Sequence, residues 1–226
     1  MFQYDYPHPA VTTDCVVFGF DGNSLKVLLV ERGVEPYKGC LALPGGFLKM
    51  DETARECAMR ELAEETGLAD VYMEQFHTFT SVHRDPRERV ITIAYYALVP
   101  MGEVRGGDDA ADARWFDIDD IPALAFDHSH ILHVALRCLK ERIHFKPVGF
   151  ELLPEVFKMS ELQALYEAIL GVKFDRRNFY KKMLALEILE QADPNQDKSN
   201  RRIPVLYRFN KACYDQLKSR GFRLEF

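Results

Sequence analysis

Glu61, Glu64 and Glu65 stand at i, i+3 and i+4 in the run Arg60-Glu-Leu-Ala-Glu-Glu-Thr-Gly67, which reads as the end of a helix. That spacing sets all three carboxylates on one helical face. Crowded like charges destabilise a helix by about 0.2–0.5 kcal/mol per pair, and a cation held among them offsets the repulsion. Oxygen donors suit a hard divalent ion, Mg²⁺ or Mn²⁺, which keeps waters and substrate phosphates in its remaining positions. The chemistry expected of such a site is hydrolysis at phosphorus. The bound ion acidifies a water and neutralises charge as a bond between phosphoryl groups breaks.

The wider frame is Gly46, five residues, Glu52, seven residues, then Arg60-Glu-Leu-x-Glu-Glu-x-Gly-Leu68. In this the chain resembles the Nudix hydrolases, with every defining position filled. The resemblance implies that the Gly46 carbonyl, Glu61 and Glu65 ligate the metal, and that Glu64 ligates it or deprotonates water. It implies too that Arg60, with Glu52, orients the carboxylates through charge-assisted bonds. The implied reaction is hydrolysis of a nucleoside diphosphate linked to another group.

Outside that frame, His83-Arg-Asp-Pro-Arg87, the run Val90–Ala97, Ala113-Arg-Trp-Phe116 and Leu124-Ala-Phe-Asp-His128 are similar to the branch that handles ADP-ribose and related sugar nucleotides. Arg32, Arg84 and Arg87 are candidates to grip phosphates, with Lys49 assisting. Phe47 or Tyr37 is a candidate to stack on a base, and His83 and His128 are candidate polar contacts. One departure stands out. Many ADP-ribose hydrolases carry a proline 15 or 16 residues past the glycine that closes the box, where this chain has Val82 and His83; Pro86 comes 19 residues past Gly67.

These residues need a scaffold. Asp14–Phe20 and Leu25–Glu31, joined by Asp21-Gly-Asn23, read as a hairpin. A helix from Asp51 or Glu52 to Thr66 is stopped by Gly67. Strands are expected at Tyr72–Val82, Val90–Val99 and Ala113–Phe116, and a helix at about His128–Arg142. Helices interleaved with mixed strands indicate an α/β or α+β sandwich, the fold that the Nudix resemblance also implies.

The texture changes near Lys146. Residues 1–145 carry 14 basic and 24 acidic side chains, a balance of −10, whereas 146–226 carry 15 and 11, a balance of +4. This division suggests two domains, 1–145 and 146–226, with different partners. Ser160-Glu-Leu-Gln163 reads as a capping box ahead of Leu162, Leu165, Tyr166 and Ile169; Gly171 closes that helix. Asp175 caps a second helix with Phe179, Met183 and Leu186 as its apolar stripe. A polar loop, 193–200, and the strand Val205–Phe209 follow, so the pattern is a winged helix-turn-helix.

On the second helix Arg177 and Lys181 share a face, with Arg176 and Tyr180 beside it, as a DNA-reading helix requires. Lys198, Arg201 and Arg202 in the wing add candidate phosphate contacts. Leu153-Pro, Ser160–Gly171, Asp175–Phe179 and Leu206–Phe209 resemble the winged helix of NrtR-type and AraR-type regulators, which join a Nudix effector domain to DNA binding. A winged helix that reads a palindrome also calls for a two-fold homodimer.

At 226 residues, with ordinary apolar and charged fractions and no run of about 18 apolar residues, the chain reads as a cytoplasmic globular protein without a membrane span. Its five scattered cysteines signal neither disulfides nor a zinc knuckle and are expected to be reduced and mostly buried. Two functions remain open. One is a hydrolase of ADP-ribose or a related sugar nucleotide fused to a winged helix. The other is a ligand-sensing repressor whose pocket binds a nucleotide or sugar with little or no hydrolysis.

Overall fold

The computed structural model describes residues 5–101, 110–193 and 204–220. The chain divides into two compact units: Met1–Gly19 with Lys26–Cys138, and Phe20–Leu25 with Leu139–Phe226.

The first unit is built on a mixed seven-stranded sheet. Strands β1 (Ala10–Phe20), β2 (Leu25–Arg32), β3 (Leu41–Ala42), β4 (Gly45–Phe47), β5 (Tyr72–Phe79), β6 (Val90–Leu98) and β7 (Ala110–Asp117) contribute. The path is β3-β2-β1-β6-β5, with β4 pairing β1 and β7 pairing β2. β1 runs parallel to β6 in unbroken register, Ala10↔Val90 through Phe18↔Leu98. A central strand covered on both faces reads as a continuous apolar run rather than an alternating one, and Cys15–Phe18 are almost wholly buried. Helix α1 (Ala54–Thr66) sets Ala58 and Leu62 against Cys15, Val17, Leu28, Val30, Tyr95 and Ala97.

Local chemistry fixes the ends of α1. Thr53 Oγ1 accepts from the Glu56 N–H at 3.3 Å while the Glu56 carboxylate accepts from the Thr53 N–H at 2.8 Å, a reciprocal capping box. This corrects the expected start at Asp51 or Glu52: the threonine satisfies the first free N–H groups, so helix begins only after it. Gly67, in the left-handed region at φ 74°, closes the helix as expected. β5 stops at Phe79, three residues short of the expected end, and residues 80–89 form a loop in which Arg84 and Asp85 are buried and most of the rest exposed. Two short strands went unforeseen: β3, and β4, which is laid along β1 with Thr13 opposite Gly46.

After α2 (His128–Arg142), the second unit holds a 3₁₀ turn (Val148–Leu152), β8 (Phe157–Lys158), α3 (Met159–Leu170), α4 (Arg176–Ala185), β9 (Leu189–Gln191), β10 (Leu206–Phe209) and α5 (Lys211–Ser219). The three strands form an antiparallel sheet in the order β8-β10-β9. Leu162, Leu165, Tyr166, Ile169, Phe179 and Met183 are all buried, as the helical spacing requires. Asp175 Oδ1 caps α4 by accepting from the Asn178 N–H at 2.9 Å. The expected Ser160–Gln163 box is corrected: the N-cap is Lys158, two residues earlier, Glu161 takes the Lys158 N–H at 2.7 Å, and Gln163 instead donates to Glu167 and to the Phe174 carbonyl. Leu186, placed in the α4 stripe, lies just past the helix and is half-buried.

All five cysteines are free, but only Cys15 and Cys57 are buried; Cys40 is exposed and Cys138 and Cys213 are half-buried. Among the described residues no helix is long and apolar enough to cross a membrane.

The Phe179 ring meets Tyr166 edge-on at 5.7 Å and Phe174 at 5.6 Å. Phe179→Ala is expected to destabilise the second unit by about 3–5 kcal/mol, the usual cost of emptying a buried aromatic site. Urea denaturation followed by circular dichroism should show the corresponding fall in midpoint.

Candidate functional site

Arg60 is the hub of the acidic helix face. Its Nε donates to Glu52 Oε2 at 2.9 Å and its Nη2 to Glu52 Oε1 at 2.7 Å, a two-pronged bond. Its Nη1 reaches Glu61 Oε1 at 2.7 Å and Glu64 Oε2 at 3.0 Å. One guanidinium thus holds three carboxylates, and Glu52 in addition accepts the Lys49 N–H at 2.9 Å. The bond from Arg60 pulls the Glu52 carboxyl down to about 2, and the same bond raises Arg60 further above its ordinary range.

Glycines let α1 and β4 approach. A Cβ on Gly46 would sit 2.3 Å from Glu61 Oε1, and one on Gly45 would sit 2.1 Å from the Thr13 carbonyl. Only the bare backbone fits between the β1 strand and the helix. Glu65 reaches into this gap and accepts the Gly45 N–H at 3.0 Å. Burial, with Glu61 and Asp14 nearby, pushes the Glu65 carboxyl up to about 7 despite that hydrogen bond.

Glu61 and Glu65 line a cleft of 470 Å³ together with Gly46, Phe47, Lys49, Arg32, Arg84, Arg87 and Phe126. All four candidate substrate-binding residues, Arg32, Phe47, Arg84 and Arg87, border this one space. Their states differ. The Arg87 guanidinium is held by Asp85 at 3.0 and 2.7 Å and lies 5.2 Å over the Phe47 ring and 5.6 Å over the Phe126 ring. Arg32 lies 4.8 Å over Phe126 and donates to the Pro36 carbonyl; its pKa is lowered by burial and then by Arg87. Arg84 is buried, its Nε and Nη2 bonded to Asp127 at 3.1 and 2.8 Å and Nη2 also to Asp14 at 3.1 Å. His128 Nδ1 accepts the Leu43 N–H at 2.9 Å, and burial lowers its pKa, so the ring is a neutral structural bridge between β3's neighbour and α2.

Sequence reasoning missed Asp14, Asp85, Asp127 and Phe126. Asp14 and Asp127 lie 70 and 43 residues from Arg84, a separation at which no periodicity brings partners together. Phe126 carries a different sign, a non-glycine residue at φ 52°, which is visible only in the backbone.

The donor set fits a hard divalent ion: carboxylate oxygens of Glu61 and Glu65 beside the Gly46 backbone, with Glu65 half-buried and accepting one N–H. Among the described residues no three acidic, histidine or cysteine side chains close around an ion by themselves.

Residues 8–135 match the NUDIX domain family and residues 149–209 the NrtR DNA-binding winged helix domain. The chain belongs to the Nudix family. Over 216 residues it is 33% identical to the ADPR responsive transcriptional repressor NtrR of Acinetobacter baylyi, covering 93% of this chain and 86% of that one. With the ADP-ribose pyrophosphatase of Methanocaldococcus jannaschii it shares 42% identity over 132 residues, 58% of this chain and 76% of the relative. The crystal structure of Shewanella oneidensis NrtR complexed with a 27mer DNA superposes with a TM-score of 0.78 at 29% identity, over 95% of this chain and 97% of the other. The molecule is therefore a Nudix domain followed by an NrtR-type winged helix, and Nudix hydrolases as a class use divalent metal ions.

In the winged helix Arg176, Arg177 and Lys181 are exposed on α4 and Tyr180 is half-buried, the Arg176 guanidinium 5.4 Å over the Tyr180 ring. Phe179 and Met183 face the core, so the two sides of α4 divide as a recognition helix needs. Lys198, Arg201 and Arg202 lie outside the described residues.

Glu65 generates a pH prediction. Its folded pKa of about 7 lies above the ordinary 4.5, so the fold favours its protonated form. The stability this contributes is complete below about pH 4.5 and is lost as pH rises through 7. In EDTA the urea midpoint of the wild-type protein should therefore fall over that window. Glu65→Gln should flatten the fall, and a divalent ion should restore the wild-type midpoint at pH 7.5; an unchanged slope in the variant would refute the assignment.

Proposed function

We propose that this protein hydrolyses the diphosphate of a nucleoside diphosphate derivative, ADP-ribose or a related sugar nucleotide, with Mg²⁺ or Mn²⁺, and that residues 146–226 form a winged helix that reads double-stranded DNA as part of a homodimer. The first 145 residues are the hydrolase domain in this reading. The observation that carries it is the Arg60 clamp: Glu52, Glu61 and Glu64 are all present and all held by one guanidinium at 2.7–3.0 Å, beside the half-buried Glu65.

Gly46, Glu61, Glu64 and Glu65 would hold the ion, which when bound supplies charge neutralisation at phosphorus and a more acidic water. This chain's own residues do the rest. Arg60 and Glu52 fix the carboxylate geometry. Glu64, more than half exposed along its side chain, is placed to take a proton from an attacking water through its carboxylate. Arg32, Arg84 and Arg87 present guanidinium edges to the diphosphate, with Phe47 backing Arg87. On DNA, Arg176, Arg177, Tyr180 and Lys181 act from α4, with Lys198, Arg201 and Arg202 from the wing.

A second reading is a repressor whose Nudix pocket senses its ligand with little or no hydrolysis. It is favoured by the near full-length similarity to an ADPR responsive repressor. Ligand would then release DNA only by binding the DNA-competent and incompetent states unequally.

Incubation with ADP-ribose and Mg²⁺ or Mn²⁺ should yield AMP and ribose 5-phosphate. Glu64→Gln should reduce turnover by about 10²–10⁴, the range for a lost general base, with an unchanged circular dichroism spectrum. No cleavage of any diphosphate across a broad panel would leave the sensing reading alone. For the winged helix, gel shifts with DNA upstream of the protein's own operon should weaken steeply with salt. Arg177→Ala and Lys181→Ala should each lower the salt slope by about 1 if they contact phosphate.

A further inference from the structure

A second cavity, of 650 Å³, lies in the Nudix unit beside the cleft. The two share Arg84 and Phe126 as a common wall. Its lining is suited to a flat heteroaromatic ring: Phe79 with the His77 and His130 imidazoles set edge-on to it at 4.7 and 5.5 Å, and the hydroxyls of Thr78, Thr80 and Ser81. Two backbone outliers mark the border. Tyr37 at φ 65° and Phe126 at φ 52° occupy the left-handed region, and their rings meet at 4.7 Å. Strain of this kind is kept where surrounding structure and function require it.

Two further observations decide what the cavity takes. In the cleft a cation already lies over one face of each ring, Arg87 on Phe47 and Arg32 on Phe126, so a base stacking on that face must displace a guanidinium. Anionic oxygen, by contrast, is what those guanidiniums attract. Arg84, with its side chain only 4% exposed, spends Nε and Nη2 on Asp127 and Asp14, and its Nη1 donates to no described group. A guanidinium nitrogen with no partner among the described residues, in a wall shared by two cavities, is a donor for a ligand that crosses that wall.

We infer that the two cavities are one divided site: the diphosphate lies in the cleft at Glu61 and Glu65, passes Arg84, and the nucleobase lodges in the histidine-lined cavity rather than on Phe47. The volume suits this, since ligand sites run to about 300–1,000 Å³, and an aromatic lining gives sequence-tolerant stacking. The inference rests on the nucleoside diphosphate reading above and adds where the base is held.

Isothermal titration of the full chain in Mg²⁺, with ADP and with inorganic diphosphate, tests it. Wild-type protein should bind ADP at least tenfold tighter than diphosphate. Val82→Trp, which fills the cavity from a residue exposed on its rim, and His130→Ala should each cut that preference at least fivefold while leaving diphosphate affinity unchanged. Phe47→Leu should alter both affinities by the same factor. Loss of the preference in Phe47→Leu, with neither cavity variant affecting it, would put the base in the cleft and overturn the inference. Failure of the wild type to bind either ligand would overturn the nucleoside diphosphate reading itself, and the inference with it.

Discussion

Like-charge crowding on one face of α1 is the constraint around which the Nudix unit is arranged. Glu61, Glu64 and Glu65 cannot be neighbours on a helix without repelling, and the fold meets this in two ways. Arg60 draws Glu61 and Glu64 toward itself with both partners within 3.0 Å, and Glu65 is turned inward to the Gly45 N–H. Each solution requires something of the scaffold. The inward turn requires β4 to lie on β1, and the register Thr13↔Gly46 and Asp14↔Gly45 sets it there. The same pairing puts Asp14 within reach of Arg84, so the acidic helix and the basic loop 80–89 are anchored to a single strand. Glycine at 45 and 46 is what permits the approach, because either Cβ would overlap backbone or carboxylate.

Legibility in the sequence followed the range of the interactions. Glu52, Glu61, Glu64, Arg60 and Gly67 are legible because their partners lie within eight residues, inside one helix and the turn that leads into it. The α3 stripe is legible for the same reason: Leu162, Leu165, Tyr166 and Ile169 repeat at helical spacing and are buried accordingly. β4 is not, since three residues containing two glycines carry no strand propensity; only pairing with β1 makes them a strand. Arg84 is the sharpest case. A candidate phosphate contact by its residue type, it is a buried side chain whose orientation is set by carboxylates from β1 and from the start of α2, partners that the sequence does not announce.

Buried ion pairs of that kind are seldom retained for stability alone, because taking the charges out of water costs several kcal/mol per ion. Arg84 with Asp14 and Asp127 fixes a loop against a strand and a helix start, and through Asp127 it fixes Phe126, the ring that separates the cleft from the second cavity. His128 extends the network by taking the Leu43 N–H. The position of every aromatic and cationic group in the cleft wall thus traces to polar contacts made from outside it.

The remaining choice, between cutting a ligand and sensing it, turns on which glutamates binding alone requires. The cleft wall holds Lys49 and three arginines against Asp14, Glu31, Glu61, Glu65 and Asp85, and Arg84 and Arg87 are already paired with aspartates. A diphosphate entering beside Glu61 and Glu65 meets like charge unless a divalent ion lies between, so those two carboxylates serve a sensor as well as a hydrolase. Glu64 is different. It does not line the cleft, and it is the most exposed of the three after Arg60 takes one oxygen. In the proposed reading Glu64 both helps to hold the ion and takes a proton from water, and only the second task is one that a pocket which merely senses would not need. Its presence beside an intact Arg60 is therefore the feature of this chain that weighs for hydrolysis rather than for binding alone.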